Sequence, residues 1–179
     1  MAFQRAKKRE PVGEAGLFEY AVGTLARKMR TVRDLKRLMK ARALDGAEGE
    51  RDIDAVIARL IELKYLSDTR FAQDYTRMRK ENQGFGRRRV QQDLAMKGVA
   101  KELVSGALAA AYDESDEVEL ARQYCERNRI KQPVEQKDTV KVMNRLMRAG
   151  YGSGAIYKLL RSWKVEIPEE TEDEDLPEF

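Results

Sequence analysis

Three consecutive arginines, Arg87-Arg88-Arg89, directly after a Gly84-Phe85-Gly86 turn, are the residues best placed to do chemistry in this sequence. On a helix, consecutive residues fan across about 200°, so the three cannot all face a core. The free amides of a helix N-terminus would add to their attraction for anions. The chemistry on offer is recognition of phosphate or carboxylate, and a solvated charged face is the competing reading. The turn itself is no nucleotide cradle, because no Gly-Lys-Ser/Thr follows it and no strand precedes it. Phe85 could stack on a base, but a hydrophobic staple onto the following helix is the simpler reading.

Catalytic means are scarce. The chain has no histidine and a single cysteine, Cys125. General acid–base work would fall to carboxylates or lysines. Asp52-x-Asp54 and the carboxylates of the C-terminal tail could in principle hold magnesium. Asp52 and Asp54 are placed where a helix begins, however, and acids are favoured there by the helix dipole alone. Cys125 follows Tyr124 on an apolar helix face and reads as a small core residue rather than a nucleophile. With one cysteine and no histidine, neither an internal disulfide nor a zinc site is expected. The chain is read as non-enzymatic, without metal or cofactor.

The charge is unevenly placed. Net charge is +4, yet Glu166–Phe179 holds eight acidic residues and no basic one, so removing that segment leaves +12 on residues 1–165. A basic body of this kind suits a polyanionic partner. The tail has Pro168 and Pro177 and little that is apolar, so it is expected to be disordered. It would serve as a solubilising segment or as a competitor of nucleic acid for the basic face. No apolar run approaches the ~20 residues that span a bilayer, and Met1–Glu10 lacks the apolar stretch of a secretory signal. A cytoplasmic protein without membrane contact is expected.

The elements that must position these residues show a threefold pattern. Leu35, Met39 and Ala43-Leu44 form the first copy, Val90, Leu94 and Gly98-Val99 the second, and Val142, Leu146 and Gly150-Tyr151 the third. Each is followed by an apolar pair: Ile57 and Ile61, Val104 and Leu108, Ile156 and Leu160. A period of about 50 residues indicates stacked supersecondary units. Thr31 with Asp34 predicts a capped helix start, as does Ser67-Asp68, whose helix would bury Phe71, Ala72, Tyr75 and Met78. Gly98 and Gly150 suit left-handed helix ends. Asp45–Gly49, within an insert reaching Asp52, reads as a loop.

The expected fold is all-α, with nine helices in three tandem three-helix repeats at 14–66, 67–112 and 113–165. A flexible basic leader would occupy 1–13 and the acidic tail 166–179. Arg33, Lys36, Arg37, Lys40 and Arg42 fall on the middle helix of the first repeat, and Lys137, Lys141, Arg145 and Arg148 on that of the third. Similar stacking of the units would turn these helices into one discontinuous basic stripe, fit to follow a phosphate backbone or an acidic groove.

At Tyr65-Leu66-Ser67-Asp68-Thr69-Arg70-Phe71-Ala72, then Gly84-Phe85-Gly86-Arg87 and Leu94-Ala95-Met96-Lys97-Gly98-Val99, the chain resembles the RecX family, bacterial modulators of the RecA recombinase. Tyr20-Ala21 with Leu25-Ala26, and Leu120-Ala121 with Arg148-Ala149-Gly150-Tyr151, extend the resemblance over Leu17–Trp163. Two departures stand out: Ser67-Asp68 replaces a pair of acids, and Ala149-Gly150-Tyr151 replaces Arg-Gly-Phe. The resemblance implies an elongated, curved array lying in the groove of the RecA–single-stranded DNA filament. There it would hinder filament growth, strand exchange, ATP hydrolysis and LexA cleavage, acting as a monomer. Arg87, Arg88, Arg89 and Lys97, with Arg33, Lys36 and Lys40, and Lys141 and Arg145 from the third repeat, would form the contacting face. Binding to single- or double-stranded DNA without RecA is the alternative, by analogy with helix-turn-helix modules. A carboxylate-dependent nuclease and a pure protein scaffold are the remaining classes.

Overall fold

The computed structural model describes residues 10–113 and 115–164, so the acidic tail 166–179 and the first nine residues of the basic leader lie outside the described residues. Among the described residues the chain is all-helical. The helices are α1 (Glu14–Arg27), α2 (Val32–Lys40), α3 (Ala47–Glu62), α4 (Asp68–Gln83), α5 (Arg87–Met96), α6 (Lys101–Tyr112), α7 (Glu117–Arg127), α8 (Gln136–Ala149) and α9 (Ser153–Ser162).

The local chemistry explains most boundaries. Thr31 caps α2 by accepting from the Asp34 amide at 3.1 Å, and Ser67 caps α4 by accepting from the Arg70 amide at 3.2 Å. Asp116 caps α7, accepting from Val118 and Glu119. Helix α5 ends at Gly98 (φ 74°) and α8 at Gly150 (φ 94°). In each, the glycine amide bonds the carbonyl three residues back and the next amide the carbonyl five back. That pairing leaves two otherwise orphaned carbonyls satisfied.

Packing divides the chain into two compact units, one of Met1–Thr76 with Gln92–Ala109, the other of Arg77–Gln91 with Ala110–Phe179. The helices α4, α5 and α6 each contribute residues to both. In the first unit α1, α2 and α3 pack on one another around Leu17, Leu35, Met39, Val56 and Leu60, all fully buried. In the second, α9 packs on α7 and α8 around Leu146, Tyr151, Ile156, Leu159 and Leu160.

Four expectations need correction. Ile61 is 49% exposed; α3 buries Ile53 together with Val56, Ile57 and Leu60. Met78 is exposed, and Thr76 takes its place on the buried face of α4. Residues Ala47–Gly49 are helical, not loop, because the insert lengthens α3 at its start. Gly49 is needed there, since a Cβ would lie 1.9 Å from the Leu44 carbonyl oxygen. Finally, the end of the expected flexible leader is held in place. The Val12 amide donates to the Arg42 carbonyl at 2.8 Å, and an isolated parallel bridge joins Val12 to Ala43.

Candidate functional site

The basic middle helices α2, α5 and α8 meet other elements at their ends. In the first unit the start of α2 covers the end of α5. The Thr31 hydroxyl donates to the Lys97 carbonyl at 2.9 Å, and the Arg33 guanidinium donates to the Met96 carbonyl. A cation at a helix C-terminus is favoured by the dipole as well as by the hydrogen bond. In the second unit the end of α8 meets the start of α5. The Gly86 amide donates to the Ala149 carbonyl at 2.8 Å and the Arg88 amide to the Gly150 carbonyl at 3.2 Å.

The two junctions use equivalent positions. Thr31 lies four residues before Leu35, and Gly86 four before Val90; Lys97 lies three after Leu94, and Ala149 three after Leu146. The internal repeat therefore reports a repeated contact, not only a repeated core. One expectation is corrected by this geometry. The amides at the start of α5 do not await an anion, because carbonyls of α8 already occupy two of them.

The arginines themselves are exposed, all three. Arg87 pairs with Asp113 at 2.6 Å. Arg89 lies over the Phe85 ring, 5.9 Å from its centroid, and Arg79 over the same ring at 5.5 Å. Phe85 is half-buried and packs on the second unit's core, so it is a core edge and not an open stacking platform. Arg88 has no side-chain ion pair or hydrogen bond among the described residues. It borders a cavity of about 320 Å³ together with Arg87, Tyr112, Asp113, Ser115 and Tyr151.

The remaining anticipated cations mostly have partners. Lys36 pairs with Asp54 at 2.7 Å, Lys40 with Glu50 at 3.7 Å, and Lys141 with Asp138 at 2.7 Å. Lys97 is half-buried with its ammonium 5.4 Å from the Tyr75 ring centre. Arg145 is exposed and lies near enough to Cys125 to lower its pKa slightly against burial. The structure thus brings Arg33 and the Lys97 backbone together in one unit, and Arg88 and the end of α8 together in the other.

Two tyrosines hold the turn before the arginines, and the sequence reading missed both. The Tyr151 hydroxyl donates to the Gly84 carbonyl at 2.5 Å, and the Tyr112 hydroxyl to the Phe85 carbonyl at 2.7 Å. Burial raises both phenol pKa values above their usual range. The repeat marked Tyr151 as a core position, but nothing in its spacing pointed at the turn.

Catalytic candidates fare poorly. Asp52 and Asp54 sit in the second turn of α3, not at its start, and Asp54 is tied to Lys36. Residues two apart on a helix point in different directions, so these carboxylates do not converge. Among the described residues no group of three or more acidic, cysteine or histidine side chains is placed to hold a metal ion. Burial pushes the Cys125 thiol up to about 11, as suits an inert core residue.

Comparison with known proteins bears on this geometry. Residues 67–108, which hold α5 and its arginines, match the family model described as RecX, second three-helix domain. The chain is 31% identical over 157 residues to the regulatory protein RecX of Salmonella paratyphi A, covering 83% of this chain and 92% of that protein. The chain belongs to the RecX family. Regulatory protein RecX of Serratia proteamaculans is 35% identical over 112 residues, 62% of this chain and 65% of that protein, so the chain spans just under two thirds of its length. The fold also matches the crystal structure of RecX from Lactobacillus salivarius, at 21% identity and a TM-score of 0.65, covering 84% of this chain and 96% of that one. A second RecX crystal structure gives a TM-score of 0.68 at 21% identity, covering 83% and 71%. The relatives it matches are named regulatory proteins, and the all-helical fold of the described residues is that of the solved RecX structures. No helix among the described residues is long and apolar enough to cross a membrane.

Proposed function

We propose that this chain is a non-enzymatic cytoplasmic regulator of the RecA recombinase, acting as a monomer in DNA repair. It binds in the groove of the RecA–single-stranded DNA filament and inhibits filament extension, strand exchange, ATP hydrolysis and LexA cleavage. The observation that carries this reading is the match of residues 67–108 to a RecX three-helix domain, the segment that holds Arg87–Arg89. The proposed contact residues are Arg87, Arg88, Arg89 and Lys97, with Arg33, Lys36 and Lys40, and Lys141 and Arg145. Arg88, exposed and unpaired among the described residues, leads this set. Steric occupation of the groove needs no catalysis, and several weak contacts made together become effective through multivalency.

The +12 charge on residues 1–165 supports a second reading, a DNA-binding helical module that acts without RecA. The separating experiment is RecA's DNA-dependent ATP hydrolysis on single-stranded DNA, with this protein added after filaments form. A fall in rate at low protein-to-RecA ratios is expected. Inhibition only once the protein coats all the DNA would select the second reading.

A further inference from the structure

We propose that the first unit carries a site for an unpaired nucleotide of single-stranded nucleic acid, built by Arg30, Lys64, Arg70 and Tyr65. The four border a cavity of about 240 Å³ whose apolar wall includes Met29 and Phe71. This site lies outside the set proposed for the filament and does not depend on that reading.

Lys36, Lys40, Arg87 and Lys141 each have a carboxylate partner. At this cavity the opposite holds. No carboxylate lines it. The side chains of Arg30, Lys64 and Arg70 make no ion pair or hydrogen bond among the described residues, and the Nε atom of Arg30 is enclosed without any partner. A guanidinium or ammonium without a carboxylate partner is left free to take up an anion in a charge-assisted hydrogen bond. Three unpaired cations around one cavity are a phosphate-binding arrangement.

Tyr65 decides which kind of anion. It is 60% exposed and is the one exposed aromatic side chain among the described residues. The tight end of α3 fixes it: Lys64 adopts φ 59° with its amide on the Ile61 carbonyl, and the Tyr65 amide bonds the Leu60 carbonyl at 2.9 Å. A ring held out to solvent beside unpaired cations is the platform-and-charge pair on which single-stranded nucleic acid binds, base on ring and phosphate on cation. At about 240 Å³ the cavity falls below the ~300–1,000 Å³ of sites enclosing a whole small-molecule ligand, so it suits one base. A duplex keeps its bases stacked and cannot supply one. An acidic polypeptide supplies the charge but no flat face for Tyr65.

The test is fluorescence anisotropy of the full chain, without RecA, on labelled oligo-dT and on a labelled duplex of equal length at low salt. Tyr65→Ala should weaken oligo-dT binding about tenfold and leave duplex binding unchanged, while Tyr65→Phe restores it. Lys64→Gly keeps the left-handed turn and removes the charge, and should weaken oligo-dT binding and flatten its salt dependence. Equal weakening on duplex, or none on oligo-dT, overturns the proposal. So does a Tyr65→Ala effect confined to poly-glutamate binding, which would give the cavity to an acidic polypeptide. Because RecA is absent, the result is independent of the filament reading.

Discussion

Gly86 and Gly150 approach each other so closely that neither position has room for a side chain. A Cβ on Gly86 would lie 2.4 Å from the Gly150 carbonyl oxygen, and one on Gly150 would lie 2.3 Å from the Arg89 amide nitrogen. The two turns, Gly-Phe-Gly before α5 and Ala-Gly-Tyr after α8, interlock through this pair. Gly86→Ala and Gly150→Ala should each destabilise by about 1–3 kcal/mol, as overpacking does, with Gly150→Ala the worse because of its φ of 94°. Urea unfolding would check it. The double variant should lose less than the sum, since both changes disrupt one junction.

Alkaline pH should loosen the same region. Tyr112 and Tyr151 have phenol pKa values raised above the usual 10.0 by burial. The unfolded chain then gives up protons near pH 10 that the folded chain retains. Stability is full below that pH and falls as pH rises beyond it. Melts followed by circular dichroism through this range should show the decline, and Tyr151→Phe should make it shallower. Near neutral pH the same change should cost about 1–3 kcal/mol, the Gly84 carbonyl losing its hydroxyl donor.

The arginine run should matter for binding and little for folding. Charge reversal at Arg87, Arg88 and Arg89 should abolish inhibition of RecA's ATP hydrolysis while the melting temperature changes little. The Arg87–Asp113 pair is half-exposed, and such pairs contribute about 0–1 kcal/mol. Inhibition that survives the reversal would remove these residues from the proposed face. Asp113→Asn frees Arg87 and should leave inhibition intact or stronger.

Cys125 should resist thiol reagents. Its thiol is buried and its pKa is pushed up to about 11. At pH 8 almost no thiolate forms, so reaction with an aromatic disulfide reagent should be slow until denaturant unfolds the chain. Fast labelling of the folded protein would show that the α7–α8 core opens readily.

Periodicity made the cores legible. Leu35, Met39, Val90, Leu94, Val142 and Leu146 are all buried, as their spacing requires. Cap chemistry was equally readable at Thr31, Ser67 and both glycine helix ends, because these bonds are local. Ile61 and Met78 were misplaced because adjacent helical positions differ by about 100°, and only packing selects between them. The insert before Asp52 reads as loop by its glycines, yet Gly49 serves a close helix–loop contact that no local pattern encodes. The candidate site was legible in its charges but not in their partners. Ion pairs such as Arg87–Asp113 join residues distant in sequence, and nothing in composition distinguishes a paired cation from an open one. Arg30, Lys64 and Arg70, scattered over three segments, acquire meaning only once folding gathers them.

The bond from the Val12 amide to the Arg42 carbonyl repeats a contact made twice more in the chain. Arg42 lies three residues after Met39, the position that Lys97 and Ala149 hold in the later repeats. Each of these three carbonyls receives a donor from an earlier stretch of chain: Val12 for the first, Thr31 for the second, Gly86 for the third. A backbone amide, a threonine hydroxyl and a second backbone amide thus do the same job at three equivalent helix ends. What is kept at this position is therefore a donor that reaches the carbonyl and not a residue type, so the repeats diverge in sequence while the contact persists.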